Sequence, residues 1–148
     1  MAKILPIAKI GEPVLRQTAE DVRDILSPEI QELIDDMILT MKKARGVGLA
    51  APQVFRSLRI ILKCSNFFDG FHALINPVII SFSKMTGIGT EGCLSVPGPE
   101  AKVKRYRSVT VRFQDREGNF REEKFIGFSA RIIQHEMDHL VGRLISDF

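Results

Sequence analysis

Apolar residues fall at Ile30, Leu33, Ile34, Met37, Ile38 and Met41, a spacing that lines them along one face of a helix. Ser27 is placed to cap that helix, Pro28 suits its first turn, and Glu29 favours the positive end of its dipole. Gly46 and Gly48 are expected to stop it after about Arg45. Residues up to about Asp24 carry turn punctuation at Gly11-Glu12-Pro13 and no sustained period, which predicts an irregular surface arm. Short apolar runs at 58–62 and 71–75, separated by Ser65-Asn66 and Asp69-Gly70, predict strands, with 77–80 as a further candidate. Val109, Val111 and Phe113 alternate with Thr110, Arg112 and Gln114; Glu117-Gly118-Asn119 turns the chain and 120–125 returns, an antiparallel hairpin. A last helix is expected over 129–141, closed by Gly142. No repeat, linker or low-complexity stretch interrupts the pattern, so residues 1–148 read as a single α+β domain.

Composition narrows the function classes. A hydrophobic content of 45% in 148 residues supports a real core and excludes a disordered chain. The net charge of +3 is too small to argue nucleic-acid binding without a basic patch. Two cysteines cannot form a disulfide framework, which favours a reducing compartment. The N-terminal residues lack a signal-like apolar run, and no stretch is long and apolar enough to span a bilayer. The expected location is the cytoplasm, with no membrane and no nucleic acid as partner.

Three segments carry candidate chemistry. His135-Glu136-Met137-Asp138-His139 is an H-E-x-x-H on the last predicted helix, where positions four apart lie one above the other. Two imidazoles so placed can reach one cation while the glutamate holds a water beside it. The alternative is a chance pair on a half-exposed face; apolar Ile132, Ile133 and Leu140 point to burial, where such groups are costly unless paired or metal-bound. A catalytic metal needs about three protein ligands. His72, in a strand-like run, suits a surface role, whereas Cys93 in Glu91-Gly92-Cys93-Leu94-Ser95-Val96-Pro97 lies in an extended segment whose backbone groups are free. A thiolate there could complete a Cys-His-His site suited to Fe(II) or Zn(II). Cys64 reads as a small buried hydrophobe. The third segment, 46–53 (GVGLAAPQ), has two glycines that admit close backbone approach and a neutral amide in Gln53. It is no phosphate loop, because the lysine and serine or threonine of that motif are missing.

In this order GVGLAAPQ, EGCLS and QHEMDH resemble the three signature motifs of the peptide deformylases, class 1 in type, and the likeness extends from the Glu12-Pro13-Val14-Leu15-Arg16 opening to the last helix. The resemblance implies antiparallel sheets packed around a central helix that carries the H-E-x-x-H motif, plus one N-terminal amphipathic helix. It implies Cys93, His135 and His139 as metal ligands, with Fe(II) natively and Zn(II), Ni(II) or Co(II) as replacements. Glu136 becomes the general base, and Gln53 with the Leu94 N–H the oxyanion donors. The substrate becomes the formyl group on the N-terminal methionine of nascent peptides, with formate released. Gly48 would pair with the peptide backbone, Val47, Phe128 and Ile132 would line the methionine pocket, and Arg131 would send its charge to solvent.

Two departures from that family's pattern stand out. Arg45 and Glu100 occupy places that often hold the opposite charges, which predicts a charge-swapped pair between the two segments. Phe148 follows His139 closely, so a long C-terminal helix for ribosome docking is expected to be missing, although work near the ribosome remains compatible. The competing functions are an H-E-x-x-H endoprotease and a non-catalytic metal- or peptide-binding module. The first wants a Glu or His ligand after His139, where only Asp147 stands; the second wants a missing site residue, and none is missing.

Overall fold

Ile60, Ile61 and Leu62 are apolar at consecutive positions because their strand is covered on both faces. In the computed structural model, which describes residues 1–66 and 70–148, this strand is β2 (Ile60–Asn66). With β1 (Gly48–Ala50), β3 (Gly70–Phe82), β6 (Ser108–Gln114) and β7 (Phe120–Ile126) it forms a five-stranded antiparallel sheet of order β1-β2-β3-β6-β7. Ile60, Leu62 and Cys64 face one way, where they join Leu49 and Ile75 against Leu33, Ile34, Met37 and Met41 of α1 (Pro28–Ala44). Ile61 faces the other way, with Ala50, Leu74, Val109, Val111 and Phe113, against Ala130 and Ile133 of α2 (Phe128–His139) and against Leu140 beyond its end. Each fully buried Leu, Ile or Met contributes roughly 1.5–3 kcal/mol. The two helices therefore clamp the same sheet from opposite faces, and the one that carries the H-E-x-x-H motif lies under β1 and β2.

The structure differs from the sequence pattern at several points. Residues 86–106 form a second, two-stranded sheet of β4 (Thr86–Cys93) and β5 (Val96–Tyr106), closed by Cys93 opposite Val96 across Leu94-Ser95. The backbone expected to be free around Cys93 is thus paired. β4 holds three glycines and β5 two prolines, and of β5 only Val103 and Arg105 are buried, so neither shows an apolar period. The runs at 71–75 and 77–80 are one strand, with Pro77 accommodated where the β3–β6 register shifts between Ile75 and Val78. The Asp69 half of the expected Asp69-Gly70 break lies outside the described residues.

α1 starts as expected, with the Ser27 hydroxyl accepting from the Ile30 N–H at 3.3 Å. Its end differs by one residue: Arg45 (φ 56°), not a glycine, takes the left-handed position, and the Gly46 N–H donates to the Met41 carbonyl at 3.0 Å. The β6–β7 hairpin runs in unbroken register from Ser108 opposite Ile126 to Gln114 opposite Phe120.

The arm is more than a wrapping. It makes a 3₁₀ turn at Pro13–Arg16 that buries Leu15, and its backbone is tied to the body at intervals. Lys3 and Leu5 N–H groups donate to Asp36 and Thr40 side chains, each at 2.8 Å, and the Ala19 N–H donates to the Leu140 carbonyl at 2.9 Å.

Candidate active site

α2 carries its motif buried: His135, Glu136 and His139 are all at most 8% exposed. Its four-residue spacing sets the two imidazoles edge to face, 5.2 Å apart between ring centroids. β4 brings Cys93 to them, with Sγ 3.5 Å from His139 Nε2. The ligand atoms of Cys93, His135 and His139 all lie within 4.8 Å of one another.

Several observations fit this trio to a metal. Tetrahedral bonds of about 2.3 Å to sulfur and 2.1 Å to nitrogen separate the two donors by roughly 3.6 Å, close to the Cys93–His139 distance. Burial, aided by the charges of His135 and Arg105, pushes His139 down to about 3, so its ring is neutral and can give a lone pair. Around His135 burial opposes a charge, but Glu136, Cys93 and Glu91 outweigh it and push the ring up to about 10. Positive charge is favoured at this point, and a cation can take the place of that proton. Buried Glu136 Oε1 has no hydrogen-bond partner among the described residues and is open to a polar group beside the trio, whereas the equally unpartnered His139 Nδ1 is the nitrogen that faces away from Cys93.

Glu91 orients His135. Its carboxylate accepts from His135 Nδ1 at 2.9 Å, leaving Nε2 to face the cavity. Arg105 donates to both Glu91 oxygens at 2.9 Å and Arg131 to one at 2.7 Å. Burial alone would raise Glu91, but these donors hold it down at about 2. Arg105 also pairs with Asp138 of the motif at 2.6 Å. None of this was anticipated from sequence, although Glu91 stands two residues before Cys93. Once the segment is known to be a strand, that spacing turns both side chains to one face.

Arg131 corrects the expectation of a solvent-directed charge. Its guanidinium donates to Glu91, to the Val103 carbonyl at 2.9 Å and to the Gly87 carbonyl at 3.0 Å, with the side chain 16% exposed. Gly89 makes room for it: a Cβ there would meet Arg131 Cζ at 2.7 Å. The reason is charge balance, since a buried carboxylate draws the nearest cations inward.

Gln53 lies in a 3₁₀ turn, Ala51–Val54, directly after β1. Its Oε1 accepts from the Ala50 N–H at 2.9 Å, which turns Nε2 toward Ser95 Oγ at 3.1 Å and Cys93 Sγ at 3.6 Å. Glu136 Oε2 is 4.0 Å from His135 Nε2. Complete burial, opposed by the charge of His135, pushes Glu136 up to about 7, where a carboxyl can both take and return a proton. Gly48 is fixed by this neighbour, since a Cβ there would stand 2.5 Å from Glu136 Oε2 and 2.9 Å from Ile132.

Gln53, Cys93, Leu94, His135 and Glu136 open into one cavity of about 450 Å³, with Val47, Gly48, Phe128 and Ile132 on its walls. Only His139 of the sequence-predicted site residues lies behind rather than on the lining, held by Cys93. Arg45 and Glu100 both line the mouth, yet no ion pair within 4.0 Å joins them among the described residues, so the expected charge-swapped bridge is not formed. Both are exposed, where the attraction of such a pair is small. His72 is exposed on β3 and Cys64 is packed in the core, as their surroundings in sequence suggested.

Comparison with known proteins covers nearly the whole chain. The family model described as "Polypeptide deformylase" matches residues 4–148. Peptide deformylase 2 of Nostoc sp. is 43% identical over 153 aligned positions, covering 98% of this chain and 86% of that protein. The peptide deformylase of Halothermothrix orenii is 48% identical, covering 97% and 92%. Among solved structures, the Met-Ala-Ser-bound class I type b peptide deformylase of Acinetobacter baumannii superposes with a TM-score of 0.94 at 39% identity, over 99% of each chain. Its actinonin-bound form gives 0.93 at 41%, over 99% of this chain and 98% of that one.

Proposed function

This chain belongs to the polypeptide deformylase family, metal-dependent hydrolases that remove the N-formyl group from nascent peptides, and from that membership we propose the residue roles and the chemistry of its site. Residues 1–148 act as one catalytic domain. Cys93 Sγ, His135 Nε2 and His139 Nε2 hold a divalent ion, Fe(II) in the native protein, with Zn(II), Ni(II) or Co(II) able to replace it. A soft thiolate with two imidazoles suits each of these ions. When bound, such an ion supplies Lewis-acid polarisation and a lowered pKa for water.

The remaining steps belong to side chains of the chain. Glu136 takes a proton from the attacking water and later delivers it to the leaving amine of methionine, a relay suited to a carboxyl near 7. As the formyl carbon becomes tetrahedral, Gln53 Nε2 and the Leu94 N–H donate to the developing oxyanion. Oε1 of Gln53 is already engaged by Ala50, so the amide needs no reorientation during the reaction. Gly48 presents bare backbone at the free side of the end strand β1, where an extended peptide can pair. Val47, Phe128 and Ile132 receive the methionine side chain. Formyl-methionyl nascent chains are the substrate, met in the cytoplasm near the ribosome, with no role for nucleic acid or membrane. No helix among the described residues is long and apolar enough to cross a bilayer.

The observation that carries these roles is the convergence of Cys93, His135, Glu136 and Gln53 on one cavity, with His139 behind the lining against Cys93. Formate release from formyl-Met-Ala-Ser tests it. Glu136→Ala is expected to lower kcat by at least about 10²-fold with metal retained, and Gln53→Ala by about 10²–10³-fold. Cleavage of unformylated internal bonds would favour an endoprotease, and bound metal without formate release a binding module.

A further inference from the structure

The two oxyanion donors proposed above come from different sheets. Gln53 follows β1 of the five-stranded sheet, whereas Leu94 stands at the tip between β4 and β5. Both must point at one oxygen, and a misplacement near 1 Å can cost on the order of 10²-fold in rate. The side-chain bonds between the two sites so far described, Gln53 Nε2 to Ser95 Oγ and to Cys93 Sγ, are both made by the donor group itself.

A separate strap joins them. Three successive residues of the N-terminal arm bond to the backbones of both donor sites: the Ala8 N–H donates to the Gln53 carbonyl at 2.7 Å, Lys9 Nζ to the Leu94 carbonyl at 2.9 Å, and the Ile10 N–H to the Ser95 carbonyl at 2.7 Å. Ala8 is fully buried with Leu15 and Leu144, with Val96 packed beside them, so the strap has an apolar anchor of its own. Lys9 does not line the catalytic cavity.

We infer that Lys9 is a positioning residue for catalysis: by holding the Leu94 carbonyl it fixes the backbone of the residue whose N–H faces the oxyanion, within a strap that sets Leu94 against Gln53. This rests on the oxyanion roles assigned under Proposed function. Lys9 is exposed, so its loss leaves the core intact and removes one constraint on the turn. An ill-placed donor weakens transition-state stabilisation more than ground-state binding, and the signature is a fall in kcat without a matching rise in KM.

The test compares Lys9→Met, Lys9→Arg and Gln53→Ala as metal-loaded proteins hydrolysing formyl-Met-Ala-Ser. Lys9→Met is expected to lose about tenfold in kcat, with KM within about twofold and metal content and thermal midpoint as in the parent. Lys9→Arg, which keeps a cationic donor, is expected to recover most of the loss. Hydrogen exchange over residues 92–97 should quicken in Lys9→Met and return to the parent rate in Lys9→Arg. A Lys9→Met kcat within about twofold of the parent, a change confined to KM, or equal loss in Lys9→Arg would overturn the inference. If Gln53→Ala also keeps its kcat, the oxyanion assignment itself fails; if only Gln53→Ala loses activity, the strap alone does.

Discussion

Single residues decide the site through contacts of a few tenths of an ångström. Gly48 has no room for a methyl group beside Glu136, so Gly48→Ala is expected to lower kcat/KM by about 10²-fold or more through displacement of the base, with an unchanged far-ultraviolet circular dichroism spectrum as the check. Glu91 makes a pH-dependent contribution. Its folded value of about 2 lies below the ordinary 4.5, so the stability it adds is fully present above the ordinary value and is lost as pH falls toward the folded one. The displacement corresponds to on the order of 3 kcal/mol. Urea melts of the parent and Glu91→Gln should differ most near neutrality, and the gap should close as pH falls from about 5 to about 2; a constant gap would contradict the assignment. The proposed ligand residues could be picked from the sequence because H-E-x-x-H and EGCLS name them. Glu91, Arg105 and Arg131 could not, because their importance comes from one buried carboxylate shared among elements far apart in the chain.

At the level of elements, α1 and the β6–β7 hairpin were legible because each buries one face at its own period, 3.6 for Ile30 to Met41 and 2 for Val109 to Phe113. β4 and β5 were not, since the three glycines of β4 and two prolines of β5 interrupt any apolar period and Gly89 makes room for Arg131 rather than facing a core. Helix ends were read to within two residues, α2 ending at His139 rather than at 141, and the error at Arg45 is informative. A side chain in the left-handed region costs about 1–2 kcal/mol, partly offset by the chain entropy a glycine would lose. Arg45→Gly should therefore raise the thermal midpoint by about 2–3 °C, measured by calorimetry on the metal-loaded protein. A lower midpoint would mean that Arg45 makes a stabilising contact at the cavity mouth.

For the whole molecule, the α+β class and the succession of α1, the β6–β7 hairpin and α2 followed from pattern alone, while β1, β4, β5 and the arrangement of α1 and α2 on opposite faces of one sheet did not. The apolar run of β2 was visible, but which of its residues face which helix depends on pairings far apart in sequence. That sheet also treats its two borders in opposite ways. β1 has three residues and borders the cavity, whereas β7 carries Arg121, Glu122, Glu123 and Lys124 in succession. Unpaired strand borders template self-association, and charge on them is a common defence. The molecule can leave one border receptive to an extended chain because the receptive stretch is short and recessed, while the longer border repels other copies. Replacing Arg121, Glu122, Glu123 and Lys124 by threonine should leave turnover near the parent value and raise light scattering on storage, making β7 the place where colloidal stability is decided.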